Sequence, residues 1–311
     1  MGKQQTAQLV LGTAQLGLAY GAANHRGQPD ERQARLIVTA AINAGVCWLD
    51  TAAAYGTSEA RIGAYVPMGS PARVVTKLAP LDEMHEETPI AEVLRAVDES
   101  VRRSCYRLRT DRLDALLLHR ARHLTWRAGA IWRRLKMLRD GGAILDLGVS
   151  VATPEEALAA LRDSDVRHIQ LPFNLLDWRW RESGAIEALA LRPEVTVHVR
   201  SVYLQGLLAA GPEVRWPTIT GVDSADLNFQ LFDLTRRMNR ESVADLCLAY
   251  ARSQDWIDGI VVGMEHVSQL ALNMSLFKRP ALTVAEARHI EATLPRAPEQ
   301  LLNPARWPKA A

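Results

Sequence analysis

Eight short runs of apolar, strand-favouring residues are spread along the chain, separated by stretches with helical character. They fall at Gln8–Gly12, Cys47–Asp50, Arg73–Lys77, Leu113–His119, Leu147–Ser150, His168–Pro172, Thr196–Arg200 and Gly259–Gly263. Most are continuous apolar runs rather than strict alternations, which suits parallel strands covered on both faces. Parallel neighbours cannot be joined by a tight turn; they need a crossover, usually a helix. Leu36, Ile37, Ala40, Ala41 and Ala44 recur at helical spacing before Gly45, a natural helix stop. Thr88-Pro89 opens another segment, with Val93, Leu94, Val97 and Val101 on one side. In Thr153-Pro154-Glu155-Glu156 the Thr can cap, Pro suits the first helical position, and Glu156 stands where a capping box needs it. Eight strand–helix units with no Ser- or Gly-rich linker predict an α/β chain, a single-domain (β/α)8 TIM barrel over residues 1–311. A further helix and a tail are expected from about residue 282, with Leu282–Leu294 helical. An open doubly wound sheet is the competitor, and the G-x-G-x-x-G turn expected after its first strand is missing.

Charge and cysteine content narrow the function classes. Lys and Arg number 37 against 35 Asp and Glu, a net charge of +2, and they are interspersed. No strongly basic face for a nucleic acid follows from that balance. Cys47, Cys105 and Cys247 are odd in number and outside any C-x-x-C pattern, which argues against disulfides or zinc and fits a reducing compartment. Met1–Gln8 is polar and only a short apolar run follows it, so neither a signal peptide nor a membrane span is expected. The expectation is a cytoplasmic protein, a monomer or weak homo-oligomer, that acts on a small molecule without metal, nucleic acid or membrane.

In a barrel of this kind the chemistry sits at the C-terminal ends of the strands. Asp50, Lys77 and His119 end three successive runs, and Tyr55 follows Asp50 in Asp50-Thr51-Ala52-Ala53-Ala54-Tyr55-Gly56. Singly, each has an ordinary structural reading: a helix cap, a solvent-reaching strand end, a buried histidine. Together they make a chemically sensible set for reducing a carbonyl, which needs a proton for the developing alkoxide. A free tyrosine has a pKa of about 10 and is a poor shuttle at neutral pH. A nearby ammonium favours its phenolate, a carboxylate holds that ammonium, and an imidazole can orient the carbonyl.

Gly12-Thr13-Ala14-Gln15-Leu16-Gly17 and Asp50-Thr51-Ala52-x-x-Tyr55-Gly56-x-Ser58-Glu59-x-x-Ile62-Gly63 resemble the signature regions of the aldo-keto reductases. Lys77 and His119 fall in the order of that family's Asp-Tyr-Lys-His tetrad, and the resemblance covers nearly the whole chain. It implies Tyr55 as proton donor, Asp50 and Lys77 tuning it, and His119 orienting the substrate. The implied activity is NAD(P)H-dependent reduction of an aldehyde or ketone, or reversible oxidation of an alcohol or sugar lactol.

The same resemblance implies a cofactor site. Ser150 and Gln170 match positions that hydrogen-bond a nicotinamide carboxamide, with Val151 where the family often has Asn. Gly12, Thr13, Ala14 and Asp50 lie in the first signature regions. Arg200-Ser201-Val202-Tyr203-Leu204-Gln205-Gly206 is similar to a segment whose aromatic ring stacks on nicotinamide; Arg200 replaces that ring, and a guanidinium can also stack or meet a phosphate. From this segment Arg200, Ser201, Leu204, Gln205 and Gly206 are cofactor candidates. Gly263, Glu265, Gln269 and Asn273 match a stretch where phosphate meets a helix N-terminus and Asn reads adenine. The family implies NADP(H). Glu265, however, stands where many members carry Arg or Lys for the 2′-phosphate, and Leu272 replaces a Glu, so NAD(H) or dual use is also open.

Substrate loops are expected at Arg120–Trp126, Leu176–Arg181, Ala209–Leu227 and from Pro295, with Trp126, Trp178, Trp180, Trp216 and Trp307 among them. These rings suit a sugar-like or ring-shaped ligand, or equally anchor the loops to the barrel. Arg120, Arg122 and His123 suit an anionic or polyhydroxylated substrate, or are simply surface residues. Two other functional classes stay open: a catalytically quiet NADP-binding sensor or partner subunit, and an epimerase or dehydratase with no net redox.

Overall fold

Each apolar run forms a parallel strand in the computed structural model, which describes residues 7–211 and 214–308. The strands are β1 (Gln8–Gly12), β2 (Trp48–Asp50), β3 (Arg73–Lys77), β4 (Leu113–Leu118), β5 (Ile144–Ser150), β6 (His168–Pro172), β7 (Thr196–Arg200) and β8 (Gly259–Gly263). They pair in sequence order, and β8 closes on β1 to complete the barrel. β5 starts three residues earlier than expected, at Ile144, because it pairs with Leu113 across β4.

The crossovers include α1 (Glu31–Asn43), α2 (Ser58–Tyr65), α3 (Ile90–Leu108), α4 (Trp126–Asp140), α5 (Pro154–Ala160), α6 (Ala185–Ala190), α7 (Ser224–Arg237), α8 (Val243–Arg252) and α9 (Val267–Lys278). Past them lies α10 (Val284–Thr293), held by a capping box between Thr283 and Glu286. Thr153 caps α5 as its sequence indicates, accepting from the Glu156 amide, while the Glu156 carboxylate reaches back to the Ala152 amide at 2.6 Å. The buried stripe of α1 differs from expectation. It is Ala34, Ile37, Val38 and Ala41, at i, i+3, i+4 and i+7, and Leu36 and Ala44 face outward. Spacing decides the seam, and small residues pack well where helix meets strand.

The two-residue period of a strand determines what fills the barrel. Val75, Ala115 and Leu117, with Trp48 against them, form an apolar plug separate from the larger core between sheet and helices. Two residues further along the same strand faces come Asp50 after Trp48, Lys77 after Val75 and His119 after Leu117. On the other side Gln170 follows His168, and Arg200 follows His198. One layer above the plug therefore gathers polar groups from five strands at the C-terminal mouth.

Candidate active site

Lys77 is the centre of this layer. Its side chain is 1% exposed, and its Nζ donates to Asp50 Oδ1 at 2.8 Å and to the Thr51 carbonyl at 2.8 Å. The same Nζ lies 5.0 Å from the centre of the Tyr55 ring. Burial pulls the Lys77 ammonium down, but Asp50 and Tyr55 more than offset it, and its pKa is raised. Burial pushes the Tyr55 phenol up and Lys77 only partly opposes this, so the phenol stays protonated at neutral pH. The His119 ring meets the Tyr55 ring edge-on, with centres 5.9 Å apart. Burial first, then Lys77, Arg120 and Arg200, lower its pKa to about 3, which keeps the imidazole neutral. The four expected residues thus stand together: a protonated phenol, a buried ammonium beside it, a carboxylate on that ammonium, and a neutral imidazole.

The signature residues around them act as braces, which spacing alone did not reveal. Thr13 donates through its amide and its hydroxyl to the Asp50 carbonyl, at 2.9 and 2.7 Å. Ser58 bonds the Thr13 hydroxyl at 2.7 Å and receives a bond from Thr51 at 2.9 Å. Glu59, 1% exposed, accepts from Thr76, the neighbour of Lys77. Gly17 and Gly56 let two chain segments cross at Tyr55. A Cβ at Gly17 would overlap the Tyr55 carbonyl, and one at Gly56, whose φ is +53°, would overlap the Gly17 carbonyl. The motif around Tyr55 is therefore largely a mount for the phenol.

A cavity of about 340 Å³ opens from Asp50 and Tyr55 and runs between the loops after β1, β7 and β8. Gly12, Thr13 and Ala14 line it from β1, and Arg200, Ser201, Gln205 and Gly206 from β7. Gly263, Glu265, Gln269 and Asn273 line its far end at α9. Sequence reasoning missed Gln15, Tyr20, Ala23 and Asn24, which also line it from the loop after β1. That loop has no period to betray it, and it touches the β7 loop through Gln205, which donates to the Tyr20 hydroxyl at 2.8 Å. Three cofactor candidates are not among the lining residues. Leu204 is fully buried in the core, because left-handed backbone at Ser201, Leu204 and Gln205 (φ +63°, +44° and +59°) turns it inward. Ser150 and Gln170 lie deeper at the strand ends, 7% and 0% exposed. Arg200 reaches from β7 across the end of β6 to the Val151 carbonyl, 3.2 Å away, and no carboxylate pairs with it among the described residues.

This cavity suits a nicotinamide dinucleotide. Polar side chains line it from Asp50 and Tyr55 to Glu265, Gln269 and Asn273, and beneath it a buried amide acceptor, Gln170 Oε1, has no partner among the described residues. Gln170 Nε2 is committed to Asp50 Oδ1 at 2.6 Å. At the far end Gln269 Oε1 accepts from the Glu265 and His266 amides, and its Nε2 donates to the Glu265 carboxylate at 2.8 Å.

Most expected substrate-loop residues turn out to be tied down. Arg120 and Arg122 pair with Asp82 at 3.2 and 3.7 Å, and His123 is buried. The Nε1 of Trp126 donates to Glu86, that of Trp178 to the Ala297 carbonyl, that of Trp180 to Asp177 and that of Trp307 to the Leu301 carbonyl. These four rings anchor loops. Within Ala209–Leu227, Trp216 is partly buried against the core, and residues 212 and 213 lie outside the described residues. Among the described residues no helix is long and apolar enough to cross a membrane, and no His, Cys, Asp and Glu group is placed to hold a metal.

No curated protein matches the chain in sequence. Among solved structures, the holo form of an aldo-keto reductase from Bacillus halodurans is similar at 22% identity, with 97% of this chain and 98% of that one covered and a TM-score of 0.72. A glycerol dehydrogenase from Gluconobacter oxydans is similar at 21% identity, with 93% and 91% covered and a TM-score of 0.70. At such identities these likenesses speak for the barrel fold. A sequence profile described as the Aldo/keto reductase family matches residues 8–294, spanning all eight strands and the tetrad, and the chain belongs to that family of oxidoreductases acting on carbonyl and alcohol groups.

Proposed function

We propose that this protein reduces an aldehyde or ketone, or oxidises the corresponding alcohol or sugar lactol, with a nicotinamide nucleotide in the cavity and Tyr55 as proton donor. The observation that carries the reading is Lys77, buried between the Asp50 carboxylate and the Tyr55 ring. The nucleotide supplies or accepts the hydride. Tyr55, held protonated by burial, gives its proton to the developing alkoxide, and the Lys77 ammonium stabilises the phenolate left behind. Asp50 keeps that ammonium charged and aimed. Neutral His119 donates one N–H to the substrate oxygen without competing for the proton.

Gly12, Thr13, Ala14 and Gly206 let the nucleotide approach the backbone closely, while Gly263, Gln269 and Asn273 serve its adenosine end. Ser150 and Gln170 take the carboxamide, and Arg200 covers the nicotinamide or reaches its phosphates. The family implies NADP(H), but the far end of the cavity favours NAD(H). Glu265 presents a carboxylate where a 2′-phosphate would sit, and Gln269 already fills the amides of Glu265 and His266. A carboxylate repels that phosphate and accepts hydrogen bonds from a ribose diol.

The test is turnover of NADH and NADPH against a panel of aldehydes, ketones and sugars, for wild type and Tyr55→Phe. Loss of one general acid should cost about 10²–10⁴-fold in turnover while nucleotide affinity stays near wild type. Full turnover by the phenylalanine variant would remove Tyr55 from the mechanism. Turnover without net nucleotide consumption would instead favour an epimerase or dehydratase.

A further inference from the structure

The charges at the mouth of the barrel do not balance. Lys77 and Asp50 neutralise each other at 2.8 Å, and Tyr55 and His119 are held uncharged. Arg200, at the end of β7, lines the cavity beside Asp50 and Tyr55. Its guanidinium is anchored to neutral groups, the Val151 carbonyl at 3.2 Å and Ser201 Oγ at 3.5 Å, and no carboxylate pairs with it among the described residues. Beyond His119 the Asp82 carboxylate is already shared by Arg120 and Arg122. Glu265, the remaining charged side chain that lines the cavity, lies at its far end. The end of the cavity where the chemistry occurs therefore carries one uncompensated positive charge. Behind burial and nearer charges, that charge acts on Tyr55, Lys77 and His119 alike, in each case against an added proton.

Hydride transfer decides which part of a nucleotide meets this charge. The ring carbon that gives or takes the hydride must contact the substrate carbon whose oxygen faces Tyr55. The nicotinamide therefore belongs at the Arg200 end of the cavity and the adenosine at the Glu265 end. The two redox states differ at that end by one charge, since the oxidised ring is a cation and the reduced ring is neutral. A guanidinium attracts a neutral, electron-rich ring and repels a cationic one. We propose that Arg200 makes this site select the reduced nucleotide, binding NADH more tightly than NAD+ and making the bound couple easier to reduce than the free one. This rests on the proposed nicotinamide reading of the cavity.

The discrimination arises at the ring alone, because ribose, pyrophosphate and adenosine are the same in both states. Like unit charges in contact at a partly buried site repel by several times the thermal energy, and water at the mouth screens part of that. A preference of about tenfold is the expected size. For a two-electron couple, tenfold corresponds to a potential raised by about 30 mV. The direction bears on the reaction. With NADH held more tightly, the balance on the enzyme tips toward carbonyl plus NADH and away from alcohol plus NAD+. Of the two directions of the proposed reaction, the site thus suits oxidation of an alcohol or sugar lactol, with NADH the slower product to leave.

The test is calorimetric titration of the full chain with NADH, NAD+ and ADP-ribose, for wild type, Arg200→Met and Arg200→Lys, with circular dichroism confirming each fold. Wild type should bind NADH about tenfold more tightly than NAD+. Arg200→Met removes the charge, so that ratio should fall about tenfold while ADP-ribose affinity stays unchanged. Arg200→Lys keeps the charge and should keep most of the ratio; Arg200→Gln takes the place of the methionine variant if that one does not fold. Wild type that binds NAD+ as tightly as NADH, or a methionine or glutamine variant that keeps the wild-type ratio, overturns the proposal. Equal weakening of all three ligands by the neutral variant also overturns it, and assigns Arg200 to the pyrophosphate. Wild type that binds neither NAD(H) nor NADP(H) overturns the nicotinamide reading as well, so the two failures are distinguishable.

Discussion

Lys77→Met tests the physical basis of the site most severely. In the native chain the ammonium and the Asp50 carboxylate have side chains 1% and 6% exposed, 2.8 Å apart. Methionine nearly preserves volume, so packing changes little. What disappears is the charge partner of a buried carboxylate and the donor to the Thr51 carbonyl. Removing one member of a buried ion pair costs about 3–5 kcal/mol, a large fraction of the 5–15 kcal/mol or so that holds a typical protein folded. The Gln170 bond to Asp50 survives and favours the lower part of that range. Adding Asp50→Asn removes the stranded charge, so the double variant should be about 1–3 kcal/mol more stable than Lys77→Met alone. Turnover should not return with it, because Tyr55 still lacks its cation. Denaturant unfolding of wild type, both singles and the double gives the coupling, and nucleotide oxidation gives the activity. A Lys77→Met cost below about 1 kcal/mol, or simple additivity in the double, would refute a tightly coupled buried pair.

Three further predictions follow the same logic. Glu265→Arg should raise NADPH affinity relative to NADH by about tenfold or more, read from paired fluorescence titrations; an unchanged ratio would place Glu265 away from the ribose. His119 and His123 have folded pKa values lowered from 6.5 to about 3 and about 4, chiefly by burial. The unfolded chain therefore binds more protons below pH 6.5, and stability present above that pH is lost as pH falls toward 4, by at most about 1.4 kcal/mol per pH unit per histidine. An imidazole resonance titrating near 6.5 for either ring would contradict this. Gly63→Ala should destabilise by about 1–3 kcal/mol, since a Cβ there would overlap the Arg107 carbonyl where α2 packs on α3; a variant melting like wild type would show that the two helices can separate freely.

The strands were the most legible part of the sequence, and the reason is physical. A strand buried on both faces is a short apolar run bounded by Gly, Pro or polar residues. β1, β3, β6, β7 and β8 accordingly have the boundaries expected from sequence. The tetrad was legible for the same reason, since Asp50 and Lys77 end β2 and β3, and His119 directly follows β4, which stops at Leu118, one residue earlier than expected. Contacts between distant segments were not legible. Nothing in the pattern pairs Asp82 with Arg120 and Arg122, or sends the Tyr20 loop over the cavity to Gln205. Backbone handedness was equally hidden. Leu204 was expected at the cofactor and is buried in the core, because its left-handed φ reverses the direction of its side chain. The braces Ser58 and Glu59 could be recognised only as motif letters until their hydrogen bonds to Thr13 and Thr76 were seen.

The central claim is that the cavity beside Tyr55 holds a nicotinamide nucleotide. Titration of the purified chain with NADH and NADPH, followed by tryptophan quenching, tests it most directly. The account predicts saturable binding of NADH, tighter than that of NADPH and tighter than that of ADP-ribose. Absence of saturable binding by NADH, NADPH, NAD+ and NADP+ below millimolar concentration would contradict it.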